Sequence, residues 1–226
     1  MLFRSRGDAT VDRAAYPNLD DFWSDLVAVY HEEVRQLAAL GCDYVQLDEV
    51  GCAMLCDPRR REEARRLGLD PDALIDTYVS AINAIADARP KGMTIAVHVC
   101  RGNYKGHWMA EGGYAPIAET FFGGVRVDTL FLEYDSARAG GFEPLRHVSG
   151  DKNVVLGLVS SKTAALENPA DLLRRIDEAS KFIDRERLGL SPQCGFASSV
   201  GGNPLTIDDE AAKLRLVCDT ARRAWG

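Results

Sequence analysis

Two short segments of this 226-residue chain carry side chains that bind soft divalent metals: His98-Val99-Cys100 and Pro192-Gln193-Cys194-Gly195. Each closes a short apolar run with the composition of a β-strand. A third such run, Phe131-Leu132-Glu133-Tyr134-Asp135, ends in acidic residues. Side chains two apart on a strand share a face, so His98 and Cys100 point the same way. A neutral imidazole, two thiolates and a carboxylate favour Zn²⁺ over harder cations. If His98, Cys100, Glu133 and Cys194 converge, the expected chemistry is zinc-dependent activation of a thiol. The carboxylate is the readily displaced member of such a set, and catalytic zinc needs a position that substrate can take. The competing readings are ordinary core packing for His98 and Cys100, and an ion pair with Arg138 for Glu133.

The elements that must position these residues alternate along the chain. A helix is expected from about Asp20-Asp21, with Phe22, Leu26, Val29, Tyr30, Val34 and Leu37 on one apolar face and Gly41 as its stop. Tyr44–Val50 reads as a strand. A polar, Arg-rich stretch follows, then a helix from Pro71, behind Asp70, to about Ala88. Met93–Cys100 is the next strand. Residues 101–116, rich in Gly, Tyr, His and Trp, read as a functional loop. A short helix near Ile117–Phe122 leads to strand Thr129–Glu133, and Gly140-Gly141 breaks the chain before a turn at Glu143–Val148. Val154–Val159 is nearly all apolar, as suits a parallel strand covered on both faces. A helix from Ala170 to Ile183, a strand over Arg187–Ser191 and a helix from Thr206 or Ile207 to Ala224 complete the pattern.

A βαβα succession gives a parallel sheet with helical crossovers. Asp48-Glu49, His98, Cys100, Glu133 and Cys194 all fall at strand C-termini, where a (β/α)₈ barrel carries its active site. An open doubly wound sheet would place them there too. No Gly-x-Gly-x-x-Gly follows a strand, which argues against a dinucleotide site.

Composition suits one domain over residues 1–226, with 46% hydrophobic residues and 27% charged. The net charge of −7 and the lack of a basic stripe argue against nucleic acid as a partner. Arg59-Arg60-Arg61 and Arg65-Arg66 are interrupted by Glu62-Glu63 and read as a solvated helix face. No apolar run is long enough to span a bilayer, and Met1–Gly7 has no apolar leader core. Six scattered cysteines form no dense disulfide framework, so the expected compartment is a reducing cytoplasm. Cys52 and Cys56 read as packing, Cys42 and Cys218 as small buried residues, and His31 and His147 as surface or structural.

The ordered set Gln46-Leu47-Asp48-Glu49, His98-Val99-Cys100, Phe131-Leu132-Glu133, Leu156–Lys162 and Ser191-Pro192-Gln193-Cys194-Gly195 resembles the catalytic C-terminal barrel of cobalamin-independent methionine synthase. More narrowly, it is similar to the shorter bacterial proteins of the methionine synthase II-like type. The resemblance covers almost the whole chain. It implies a (β/α)₈ TIM-type barrel. It also implies a zinc cofactor on His98, Cys100, Glu133 and Cys194, with Asp48 as the catalytic residue that holds the substrate amino group. The implied reaction moves a methyl group from 5-methyltetrahydrofolate, free or polyglutamylated, to homocysteine sulfur and gives methionine.

Two departures stand out. The family barrel has three strands before the Asp-Glu strand, and here only Met1-Leu2-Phe3 matches the end of the third. The expected fold is therefore an incomplete barrel, N-terminally truncated, of about five strands and part of a sixth. A homo-oligomer or partner chain would complete it. Second, the family's Asp-x-His segment is replaced by Ser160-Ser161-Lys162, which leaves the donor and the acceptor thiol open. The readings that remain are a zinc alkyltransferase for another thiol and a non-catalytic zinc-binding remnant. Asp48 and Glu49 point to opposite faces, and Asp48 is expected at the mouth. Asn103, Tyr104, His107 and Trp108 lie on a loop there, to cover substrate or to pack the loop. Ser160 and Lys162 are further candidate substrate contacts, with Lys162 suited to a carboxylate or to capping a neighbouring helix.

Overall fold

The computed structural model describes residues 11–226. The expected strand end at Met1-Leu2-Phe3 lies outside them. The described chain runs α1 (Leu19–Ala39), β1 (Tyr44–Glu49), α2 (Gly51–Met54), α3 (Pro58–Arg66), α4 (Pro71–Asp87), β2 (Thr94–Val99), α5 (Ala115–Gly124), β3 (Thr129–Glu133), β4 (Asn153–Val159), α6 (Pro169–Ala179), β5 (Leu188–Pro192) and α7 (Ile207–Trp225). Short 3₁₀ turns at Ala137–Ala139, Glu143–His147 and Arg185–Arg187 fill the connections.

All five strands are parallel, in the spatial order β1-β2-β3-β4-β5. This order separates the two architectures that strand-end placement leaves open. A doubly wound sheet reverses direction at a switch point, whereas a (β/α)₈ barrel adds each strand beside the last. The sheet is thus an arc of a barrel that does not close among the described residues. Right-handed crossovers put the helices on one side of it. The side chains on that side, Ile95, Val97, Val99, Leu130, Leu132, Val154, Leu156 and Leu158, are fully buried. The other side is the inner face, where Tyr44, Gln46 and Asp48 of β1 are exposed.

Local signals explain the helix starts. Asp57-Pro58, Asp70-Pro71 and Asn168-Pro169 share one device, an Asx N-cap that accepts a backbone N–H two residues on, followed by Pro at the first helical position. Thr206 and Asp209 form a capping box at the head of α7. On α4, Leu74, Ile75, Tyr78, Val79, Ile82, Ile85 and Ala86 make the buried stripe.

Several expectations change. The apolar face read for α1 is only partly used: Val34 is buried, but Val29 is 66% exposed. Its main helical neighbour is α4, and β1 is an edge strand; Phe22, Leu26, Tyr30 and Leu37 are half-buried, and Val29 faces outward. The Arg-rich stretch contains α2 and α3. Arg60 pairs with Glu63 and Arg66 with Glu62, as a solvated helix face requires. Helix α6 ends at Ala179 rather than Ile183, because the chain turns there to bury Ile183. Cys218 is exposed and Cys42 half-buried, because α7 turns Cys218 away from its packing face and Cys42 precedes the edge strand. His31 is half-buried, with its Nε2 2.9 Å from the Ala84 carbonyl oxygen.

One glycine controls how β5 meets the site. A Cβ on Gly157 of β4 would lie 2.7 Å from the Gln193 Cα and 3.1 Å from the Leu132 carbonyl oxygen. Both neighbours are backbone and cannot swing aside. Gly157→Ala is expected to destabilise the protein by about 1–3 kcal/mol, as overpacking does. Denaturant unfolding measures this, and an unchanged midpoint would contradict the close approach.

Candidate metal centre

Register brings the site together. Asp48 of β1 stands opposite His98 of β2, and Glu133 of β3 stands opposite Gly157 of β4, which stands opposite Ser191 of β5. Side chains of the inner face therefore line up at the C-terminal ends. Cys100 follows β2 directly, held by a hydrogen bond from its N–H to the Glu49 carbonyl. Beyond β5 the chain crosses the space left by Gly157. The Gln193 N–H bonds the Val159 carbonyl at 2.8 Å, and the crossing delivers Cys194.

One donor atom from each of His98, Cys100, Glu133 and Cys194 lies within 4.8 Å of all the others. The two sulfurs are 3.9 Å apart. The edge of a tetrahedral thiolate site with bonds of about 2.3 Å is about 3.8 Å. His98 Nε2 is 3.5 Å from Glu133 Oε1. Glu133 is fully buried, and neither of its oxygens has a hydrogen-bond partner. A buried carboxylate with no donor is costly unless something else satisfies it. The donor set, its spacing and the orphaned oxygens fit a zinc ion.

Glu133 does not pair with Arg138, whose guanidinium instead bonds Asp135 at 2.6 Å. Asp48 Oδ1 lies 2.7 Å from His98 Nδ1, so the carboxylate fixes the ring and leaves Nε2 facing the other donors. The expectation for Asp48 was a substrate contact. Its side chain is 62% exposed, which leaves room for that role beside the one seen.

The charges are strongly coupled. Burial disfavours the His98 imidazolium, but the Asp48 hydrogen bond and the nearby Glu133 carboxylate outweigh it and raise its pKa to about 10. The hydrogen bond from Cys100, helped by His98 and opposed by burial, lowers Cys194 to about 6. The same shared proton, together with burial, pushes Cys100 up. Asp48 is lowered by its hydrogen bond with His98. Its neighbour Glu49 points to the opposite side, where burial raises it to about 7.

The loops above the centre are stitched together by amides. Asn203 accepts from the Gly106 N–H at 3.0 Å and donates to the Ser161 carbonyl at 2.7 Å. Asn103 donates to the Gly195 carbonyl at 2.8 Å. Gln193 donates to Ser161 Oγ at 2.6 Å. Ser160 Oγ accepts from the Lys162 N–H, and the buried Lys162 Nζ reaches only the Gly102 carbonyl, at 3.5 Å. Tyr104 and Trp108 are exposed, with Trp108 held by Glu111 and stacked under Arg138. Cys52 and Cys56 are buried with raised pKa values, as packing residues would be. Sequence reading missed Gly157, Gln193, Asn203 and the Asp48–His98 bond. Only the pairing of strands could have revealed that bond.

Asp48→Ala is expected to weaken zinc binding by about 10- to 100-fold, since it frees the His98 ring. Competition with a chromophoric chelator measures this, and unchanged affinity would contradict the orienting role. Zinc takes a neutral imidazole and thiolates. Near neutral pH, His98 and Cys100 each hold a proton that zinc must expel, while Cys194 is largely ionised. About two protons should leave per zinc bound, and affinity should rise with pH across the neutral range, less steeply once His98 has lost its proton. Calorimetry in buffers of different ionisation enthalpy counts them, and release of none would contradict these charge states.

The model for the catalytic domain of cobalamin-independent synthase matches residues 7–221. The uncharacterized protein YxjH of Bacillus subtilis is 44% identical over 216 residues, covering 95% of this chain and 57% of that protein. The methionine synthase of Pyrococcus abyssi is 28% identical over 183 residues, covering 80% of this chain and 45% of that protein. The crystal structure of a putative vitamin-B12 independent methionine synthase from Listeria monocytogenes superposes with a TM-score of 0.73 at 33% identity. That match covers 93% of this chain and 57% of the other. This chain therefore spans about half the length of the curated relatives it matches. Matched over nearly its whole length, the chain belongs to the cobalamin-independent synthase catalytic-domain family.

Proposed function

We propose that this domain carries the metal-binding part of a zinc-dependent thiol S-methyltransferase site. The site moves a methyl group from 5-methyltetrahydrofolate to homocysteine and gives methionine. The convergence of His98, Cys100, Glu133 and Cys194 carries this reading. When bound, zinc supplies the Lewis acidity that turns a substrate thiol into a thiolate near neutral pH.

The chain's own residues bind and orient. Asp48 holds His98 with one oxygen and has exposed carboxylate surface for a substrate ammonium group. A cavity of about 300 Å³ lined by Gln46, His98, Phe131, Ser191, Cys194 and Phe196 adjoins the donors, a volume that suits a small amino-acid thiol. Asn103, Ser160 and Lys162 lie on the loops above it as further substrate contacts, with the Lys162 ammonium for a carboxylate. Holding thiol and methyl donor at one mouth lowers the entropic part of the barrier.

The open sheet implies that full competence needs further strands. They would come from a longer protein, a second copy or a partner chain. A reducing compartment such as the cytoplasm suits thiolate ligands. A second reading, transfer to another thiol or from another donor, is favoured by Ser160-Ser161-Lys162, which offers no histidine to protonate the leaving amine.

Zinc-loaded protein given homocysteine and 5-methyltetrahydrofolate is expected to form methionine, read by mass spectrometry. Cys194→Ser should lose zinc and turnover together. A full zinc complement in that variant would refute the ligand assignment. Turnover with a different thiol alone would favour the second reading.

A further inference from the structure

Directly after Cys100, Arg101 is fully buried. None of its guanidinium nitrogens has a hydrogen-bond partner. The group stacks 4.3 Å from the centroid of the Tyr114 ring. Tyr114 in turn donates its hydroxyl proton to the Glu133 carbonyl oxygen at 3.1 Å. The cation therefore sits behind the same strand end that carries a buried carboxylate with no hydrogen bond. Glu133 is the one carboxylate among the described residues with both oxygens buried and without a hydrogen bond. The two charges attract each other, yet they are not hydrogen-bonded.

A guanidinium is cationic at any working pH, and an unpaired buried charge is expensive. Charge counting gives the pair a purpose. Two thiolates, a carboxylate and a neutral imidazole around a divalent ion leave one negative charge in excess, which Arg101 offsets. Were a thiolate sulfur to take the place of the Glu133 oxygen as fourth donor, the donor set would keep that one excess charge and the freed carboxylate would add a second to the site. The thiol proton goes to solvent, and a carboxylate is set free in a buried place.

We infer that Arg101 is a positioning residue, the counter-charge that lets Glu133 give way to the substrate thiol without becoming a bare buried anion. This deepens the proposed thiol-activating function and rests on it.

The test uses Co²⁺ as a spectroscopic substitute for zinc. Metal affinity is read by chelator competition, and homocysteine affinity from the sulfur-to-cobalt charge-transfer band. Arg101→Met keeps the bulk, Arg101→Lys keeps the charge, and Arg101→Gln is a second neutral variant should the first not fold. The neutral variants are expected to hold metal as tightly as the parent, or more tightly, and to bind homocysteine at least about tenfold more weakly. Arg101→Lys should recover most of that loss. In the Glu133→Gln background the displaced donor is neutral, so Arg101→Met should change homocysteine affinity by less than about twofold. Metal and homocysteine affinities falling together, or an equal loss in both backgrounds, would mean that Arg101 only braces Tyr114 and would overturn the inference. A parent protein that binds no metal overturns the functional reading and this inference with it. A parent that binds both, with neutral variants that match it, overturns the inference alone.

Discussion

In-register parallel pairing decides which side chains of this sheet can meet. Faces alternate with every residue, so a slip of one between β1 and β2 would set Asp48 beside Val97 or Val99 instead of His98. The fully buried outer side chains Ile95, Val97 and Val99 prevent that slip, since the alternative would expose them and bury His98 among the helices. The apolar side of the sheet therefore holds the polar side in place. Gly157 completes the arrangement at β4, where the lack of a side chain lets the segment after β5 cross and bring in Cys194.

The centre is poor as structure, which supports reading it as function. His98, Glu133 and Arg101 are buried, and neither Glu133 nor Arg101 has a hydrogen bond to its charged group. Buried charge of this kind is weak evidence for stability and often costs more than an apolar replacement. Its partial pairings, Asp48 with His98 and Cys100 with Cys194, keep the donors aimed at one point. The amides of Asn103, Gln193 and Asn203 hold the three loops above it with ordinary hydrogen bonds. Rigid loops around unsatisfied donors suit a site that must wait for its ligands.

The arc itself has two unlike sides. Helices cover the outer face, while the inner face of β1 is exposed and both sheet edges are unpaired among the described residues. An exposed edge is a template for further pairing. Helix α1, with Val29 of its apolar face exposed, lies at the same margin. Incompleteness at the edge and convergence at the candidate metal centre thus coexist, because all four donors come from β2, the residue that follows it, β3 and the segment after β5.

Much of this was legible in the amino-acid sequence. Helix starts were readable because Asx-Pro and Thr-x-x-Asp act within one turn of chain. Strand ends were readable because apolar runs stop where His98, Cys100, Glu133 and Cys194 begin, and the donor types alone pointed to zinc. The partner of His98 is Asp48, fifty residues earlier. The Gln193 carbonyl that faces the same ring is ninety-five residues later. Local spacing carries no information about such pairs. The space at Gly157, the burial of Arg101 and the exposure of Val29 and Cys218 likewise depend on what packs against each residue. Sequence determined the chemistry of the donors and the elements that bear them. The tertiary structure decided their convergence and their charges, because distance and burial arise only when distant strands pair.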